Sequence, residues 1–369
     1  MSKEKNTTTK SGGGIVAGLL LLIVGIGLLW YNEGRTVKTQ STINEARKKY
    51  TDIKADKIDD KYEGKLVATK GKLGITEADI LTDSEFGISI QAAKLQRVVE
   101  MYQWKESCET DDDDKKHCTY EKVWDSHLID SSDFETVVGH ENPTVMAYES
   151  QTYIANNVRL GAFTLPEELI AKLSTNKTKN NSQLMEEYKN TIEGITVSGN
   201  YLTNVKDNAP EIGNIRITFG YLDSETVSVM AVQTGNTFEA FTSKNGKDVY
   251  TIVKGNKTGA QILEDMTKSN NRWKWILRLL GVILTISAFS SMFSFITNLA
   301  NKVPILGNIV SGATGLISFV LGLSVSLIVI ALAWFRFRPL LSIILIVIVV
   351  GLFACLKLGV VDKILKKEK

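Results

Sequence analysis

Two cysteines bracket the most reactive stretch of this chain, Cys108-Glu-Thr-Asp-Asp-Asp-Asp-Lys-Lys-His-Cys118. Cysteines facing each other across a hairpin can form a disulfide, which needs Cα atoms roughly 4.4–6.8 Å apart. Closing so short a loop contributes on the order of 2–3 kcal/mol and requires an oxidising compartment. A zinc site drawn from Cys108, Cys118, His117 and His127 is the competing chemistry, but structural sites place their cysteines in tighter pairs. Asp111 to Asp114 could meet a hard cation, although calcium loops space their ligands around a sharp turn. A solvated acidic tip is the simpler reading. The third cysteine, Cys355, falls in an apolar run with no obvious partner. No phosphate-binding loop, nucleophile elbow, H-E-x-x-H pair or paired C-x-x-C occurs, so no catalytic, metal or cofactor set is expected. Asn176-Lys-Thr, Asn180-Asn-Ser and Asn256-Lys-Thr match the glycosylation pattern, which has meaning only in a eukaryotic secretory pathway.

The elements that would hold this tip are strands. Val98–Trp104 and Thr119–Trp124 are β-prone and flank the cysteines. Period-two alternation, the mark of half-buried strands, recurs at Ile215, Ile217 and Phe219 and at Val227, Val229 and Ala231. Helical patterns are fewer: Thr39–Lys57, Pro166–Leu173 with proline in its first turn, and Gly259–Ser269. A weak echo links Glu63-Gly64 followed by Val67 to Gly71 with Glu193-Gly194 followed by Ile195 to Gly199. It leaves two readings open: two tandem small β-barrel-like modules, at 60–140 and 190–257, or the chance matches any β-rich chain offers.

Around this polar region lie charge-free runs long enough to cross a bilayer, which takes about 20 apolar residues. The first spans Ser11 to Asn32. Three more follow: Leu279–Asn301, Val303–Phe335 and Pro339–Leu356. The first is too long for a signal-peptide core and closes on Trp30-Tyr31, an interfacial pair; Trp273 and Trp275 stand at the matching position before the second span. The expected fold is a multi-pass α-helical membrane protein with a large β-rich (α+β) extramembrane domain. Its parts are a tail at 1–12, spans at 13–31, 275–297, 309–335 and 339–356, the domain at 32–272 and a basic tail at 357–369. Lys3, Lys5 and Lys10 at one end and Lys357, Lys363, Lys366, Lys367 and Lys369 at the other place both tails in the cytoplasm and the domain outside or in a lumen. Arg272, Lys274, Arg278, Arg336 and Arg338 pull against that assignment. The net charge of +2 gives no reason to expect a nucleic-acid partner.

No Asp, Glu, Lys or Arg lies within any of the charge-free runs, which argues against a charge-driven pump. Small residues do: Gly14 with Gly18, Gly281 with Thr285, and Gly307, Ser311 and Gly315. Such spacing lets helix backbones approach closely, and packing inside the four-helix bundle is the expectation.

Several blocks in order carry a likeness to a known family: Trp30-Tyr-Asn-Glu-Gly-Arg35, Tyr62-Glu-Gly-Lys-Leu-Val67, Lys94-Leu-Gln-Arg-Val-Val-Glu-Met-Tyr-Gln-Trp104, Val138-Gly-His-Glu-Asn-Pro-Thr-Val-Met-Ala-Tyr-Glu-Ser150, Phe241-Thr-Ser-Lys-Asn-Gly246 and Phe335-Arg-Phe-Arg-Pro-Leu340. With this span layout the chain resembles the LUMA family of four-pass membrane proteins, also called the transmembrane protein 43 family. The resemblance implies a non-enzymatic membrane scaffold that self-associates and binds other membrane proteins. In animals it would sit in the endoplasmic reticulum and inner nuclear membrane with lamin- and emerin-type partners. In bacteria it would sit in the inner membrane, the domain facing the periplasm. A channel or channel modulator with a pore lined by Ser and Thr of the second and third spans, and a lipid-binding or membrane-shaping protein, are the alternatives.

Overall fold

A computed structural model describes residues 13–110, 115–188, 192–300, 307–335 and 339–357. The chain divides into two compact units: a helical unit of residues 1–45, 244–247 and 263–369, and a β unit of residues 46–243 and 248–262. Six α-helices are present among the described residues: α1 (Gly13–Lys49), α2 (Glu167–Ala171), α3 (Asn181–Glu187), α4 (Gly259–Ala300), α5 (Gly307–Phe335) and α6 (Pro339–Lys357). The chain is a multi-pass membrane protein with a large β-rich domain. Three helices are long and apolar enough to cross a membrane among the described residues: Gly14–Lys49, Gly259–Ser294 and Ala313–Phe335. The fourth expected span falls on α6, some of whose side chains lie outside the described residues, as do both tails.

Sequence patterning divides α1 and α4 into separate span and soluble segments, but each is one continuous helix, of 37 and 42 residues. Nothing in Asn32–Thr39 or Ser269–Trp275 breaks a helix: neither stretch holds a proline, and the single Gly34 costs only about 1 kcal/mol. The helix expected over Thr39–Lys57 stops at Lys49, where Arg47, Lys48 and Lys49 face the negative end of the helix dipole. Thr51–Asp52 then joins a sheet.

In the helical unit, one stripe of α1 is buried: Gly18, Gly25, Leu29, Asn32, Glu33 and Thr36. On α4 the buried positions in this unit include Leu263, Asn270, Gly281, Thr285 and Ala288. Spacings of three, four and seven are those of a helix face.

The β unit holds two seven-stranded sheets. In the first, Leu66–Gly74 lies between Thr226–Thr234 and Arg159–Leu160. In the second, Lys94–Thr110 lies between Ile215–Leu222 and Lys116–Asp125. This corrects the reading of tandem modules at 60–140 and 190–257. Val67 pairs with Ala231, and Val99 with Ile217, so each sheet draws its central strands from both stretches. Two cores exist, but neither belongs to one continuous stretch. One gathers Val67, Leu160, Phe163, Leu169, Val229 and Phe238; the other gathers Phe86, Leu95, Val99, Leu202, Ile217 and Phe219. Each fully buried side chain of this size contributes roughly 1.5–3 kcal/mol. The echo has a local cause instead: Gly64 and Gly194 both take positive φ, 68° and 79°, the turn conformation glycine adopts without strain.

Ile215–Leu222 shows the alternation its sequence implies, with Ile215, Ile217, Phe219 and Tyr221 buried. Thr226–Thr234 does not, since Val227 through Ala231 are buried without interruption. Its second face is covered by the chain around Gly259, where an added Cβ would lie 2.8 Å from Ala68, the strand partner of Met230. Lys94 is buried at the end of α2, where Nζ donates to Ala171 O at 3.1 Å and Leu173 O at 2.8 Å. Burial pushes its pKa down.

Candidate interaction surface and membrane clasp

Lys94–Thr110 and Lys116–Asp125 form an arm whose register runs from Met101↔Asp125 to Thr110↔Lys116. Cys108 lies directly opposite Cys118, and their sulfurs are bonded at 2.03 Å. Asp111 to Asp114 lie outside the described residues. The zinc set is not assembled: both sulfurs are in the disulfide, and His127 pairs instead with Asp125 at 3.3 Å. Glu106 brings a third ligand-type atom to the sulfurs, but a disulfide offers no thiolate.

Residues 126–150 brace one face of the arm. The Asn142 side chain behaves like one residue of a neighbouring strand: its Oδ1 accepts from Trp104 N at 2.7 Å and its Nδ2 donates to Trp104 O at 2.8 Å. The His140 ring stacks on Tyr120 at 3.8 Å and meets Trp104 edge-on at 4.8 Å. Glu106 Oε1 accepts from the Tyr120 hydroxyl at 2.7 Å and from Glu135 N at 2.6 Å. Burial pushes the Glu106 pKa up, but those two donors, together with the charges of Lys116 and His140, hold the carboxyl below its ordinary value. The brace leaves apolar side chains in the open, Val138 at 83% exposure and Val145 at 70%. Val145 and Leu128 line an open cavity of about 370 Å³ with Thr144, Met146 and Tyr148. The sequence marks this surface through the block from Val138 to Ser150, though not its job.

The helical unit carries a different arrangement. Glu33, 1% exposed, accepts two hydrogen bonds from Arg278, Nε at 2.6 Å and Nη2 at 3.0 Å. The guanidinium also lies over the rings of Trp275 at 4.9 Å and Trp334 at 5.3 Å. Two asparagines tie the helices reciprocally: Asn32 Nδ2 donates to Lys274 O at 3.0 Å, and Asn270 Nδ2 to Thr36 O at 3.1 Å. Sequence reasoning missed this clasp. Its signal was present: Glu33 ends the first charge-free run and Arg278 begins the second, so antiparallel helices bring opposite charges level.

Below the clasp the small residues meet neighbouring helices. A Cβ on Gly14 would lie 2.9 Å from Ser294 Oγ, one on Gly18 2.6 Å from Ala288 O, and one on Gly281 2.6 Å from the Leu29 side chain. Ser291 Oγ donates to Gly14 O at 2.8 Å. Thr285 shares a 2.6 Å hydrogen bond with Ser326. Gly25 and Gly322, outside the expected set, are just as tight, against Thr285 at 2.9 Å and Ile286 Cα at 2.6 Å. Among the described residues Gly315 meets nothing within 4 Å; the side-chain surroundings of Gly307 and Ser311 lie outside those residues. Trp30, Tyr31, Trp273 and Trp275 are all more than half exposed.

Comparison with known proteins accords with this architecture. The family model described as transmembrane protein 43 matches residues 101–339. The chain is 28% identical to human transmembrane protein 43 over 358 residues, covering 91% of this chain and 87% of that protein. The Pongo abelii protein matches with the same figures. A Drosophila melanogaster homologue is 26% identical over 343 residues, covering 87% and 88%. No solved structure matches. With more than half of its length under the family model and the apolar helices in place, the chain is an integral membrane protein of the transmembrane protein 43 family.

Proposed function

We propose that this protein is a non-enzymatic membrane scaffold whose β unit binds a second copy of itself and other membrane proteins outside the cytoplasm. The braced, cross-linked arm carries the reading: it holds Val138, Val145 and the adjoining cavity in a fixed, exposed position. Open apolar side chains on an ordered support are what a binding surface offers. The disulfide fits an oxidising compartment. The pore alternative draws no support from Thr285 and Ser326, whose hydroxyls bond to each other and to Gly322 O.

The test is the mass of the purified full-length protein in mild detergent, with Val138→Glu and Val145→Glu variants. Loss of the oligomer at unchanged thermal stability supports the scaffold. An unchanged mass with both substitutions overturns the assignment of self-association to this surface. Ion flux from pure protein in liposomes would favour the channel.

A further inference from the structure

The loop 244–247 is pinned along α1 just beyond the clasp. Asn245 Nδ2 donates to Lys38 O at 2.8 Å, and Lys247 Nζ donates to Thr39 Oγ1 at 2.8 Å. The loop thereby delivers a lysine to a helix face that already holds Arg35 and Lys38. The pKa of Lys247 is lowered, first by burial and then by repulsion from those two cations. Arg35 is poorly satisfied: its Nη bonds to Asn270, Asn32 and Thr36 are 3.3–3.4 Å long. Its Nε is buried with no acceptor among the described residues. Of the carboxylates on this helix, Glu33 pairs with Arg278 and Glu45 accepts from the backbone N–H of Lys244.

Position selects the occupant. At 1.5 Å per residue, Arg35 stands about 6 Å and Lys38 about 10 Å along the helix from the interfacial Tyr31. Headgroups occupy roughly the 5–8 Å beyond each side of the hydrocarbon core, which takes in Arg35; the long side chain of Lys38 leans back along the helix toward that level. We propose that Arg35, Lys38 and Lys247 form a site for the phosphate of an anionic phospholipid headgroup. An anion there would offset the repulsion among three cations and supply the acceptor that Arg35 Nε lacks. The site is separate from the surface around Val145 and does not depend on it.

The experiment is native mass spectrometry of the full chain released from vesicles of phosphatidylcholine with one-fifth phosphatidylglycerol. The wild type should retain phosphatidylglycerol above its share of the bilayer. Removing one charge, in Lys247→Gln or Arg35→Gln, should lower the enrichment about fivefold. Lys247→Arg should keep it, and Lys244→Gln, an exposed neighbour, should leave it unchanged. Because Arg35 touches the clasp, Lys247→Gln is the deciding variant. Equal retention of the two lipids by wild type, or unchanged enrichment in Lys247→Gln, overturns the proposal. Displacement of the lipid by millimolar inorganic phosphate would assign the cations to a soluble anion and overturn the commitment to a headgroup.

Discussion

The clasp and the arm both carry charged side chains, yet they are held together by opposite means. Glu33 is buried and faces one cation, Arg278, whose guanidinium is screened by two indoles. On the arm, Glu106 and the Lys116–Glu135 pair stand close to solvent, and what fixes the strands is shared among a disulfide, a ring stack and the strand-like amide of Asn142. A buried pair loses heavily when one member goes, because the other remains as an uncompensated charge. A surface network degrades by degrees, since each exposed charge pair contributes little. The helical unit is therefore sensitive to single residues at its interface with the headgroups. The arm tolerates substitution while staying in place.

The largest effect expected from this contrast is at Glu33. Glu33→Met should destabilise the protein by roughly 3–5 kcal/mol, as breaking one side of a buried ion pair does. It would be read as a fall in thermal stability of the detergent-solubilised chain. Arg278→Met should cost a similar amount. The double variant should recover most of it, because two apolar side chains leave no stranded charge. Additive losses would mean the two residues act independently and would remove the clasp from the comparison.

The next effect is on the arm. Cys108→Ser with Cys118→Ser should cost about 2–3 kcal/mol if the arm unfolds with the β unit. If the brace holds alone, the loss should be confined to faster amide exchange between Ser107 and Thr119. The two outcomes measure how far the arm's redundancy extends. Faster exchange throughout the Ile215–Leu222 strand would refute the view that its supports are shared.

The difference between the regions also explains what the chain reveals without a structure. The spans are legible because each is a charge-free run, and Ile215, Ile217 and Phe219 are legible because one face of their strand is wet. The cysteines are legible because a hairpin is local. Glu33 and Arg278 are 245 residues apart, and no periodicity connects them. The same holds for Val67 and Ala231, whose pairing breaks the tandem-module reading. Local pattern reports which face of an element is buried, not which distant element buries it. Gly25 was missed for a related reason: it has leucines at the four-residue spacing, and its close partner, Thr285, belongs to another helix. Gly322, between Ser318 and Ser326 at that spacing, was legible in the sequence, but its partner Ile286 was not.

Within the membrane a smaller effect is expected. Thr285→Ala removes the hydrogen bond to Ser326, and interhelical bonds of this kind average about 0.6 kcal/mol. Gly322→Leu should cost more than Thr285→Ala, since a side chain there must displace the Ile286 backbone. Helix proteolysis in detergent would rank them. The reverse order would show that hydroxyl bonding, not close approach, holds α4 to α5.

The smallest effect is local and depends on pH. Glu106 is held below its ordinary pKa by the Tyr120 hydroxyl and the Glu135 amide, together with the charges of Lys116 and His140, against the opposing effect of burial. A carboxyl with a depressed folded-state value stabilises the fold above its unfolded pKa, near 4.3. That contribution is lost as pH falls through the lower folded value. Acidification below about pH 4.3 should therefore loosen the brace first where Glu106 accepts its bonds. The Glu135 amide, which donates to the carboxylate, and the Thr136 amide, which donates to the Tyr120 hydroxyl, should then lose protection relative to amides in the core strands. Exchange compared across a pH series after correction for the intrinsic rate would show it. Glu106→Gln should abolish the pH dependence while leaving the His140–Tyr120 stack in place. If both amides keep their protection at pH 3, the ring stack and Asn142 suffice, and the carboxylate is incidental to the arm.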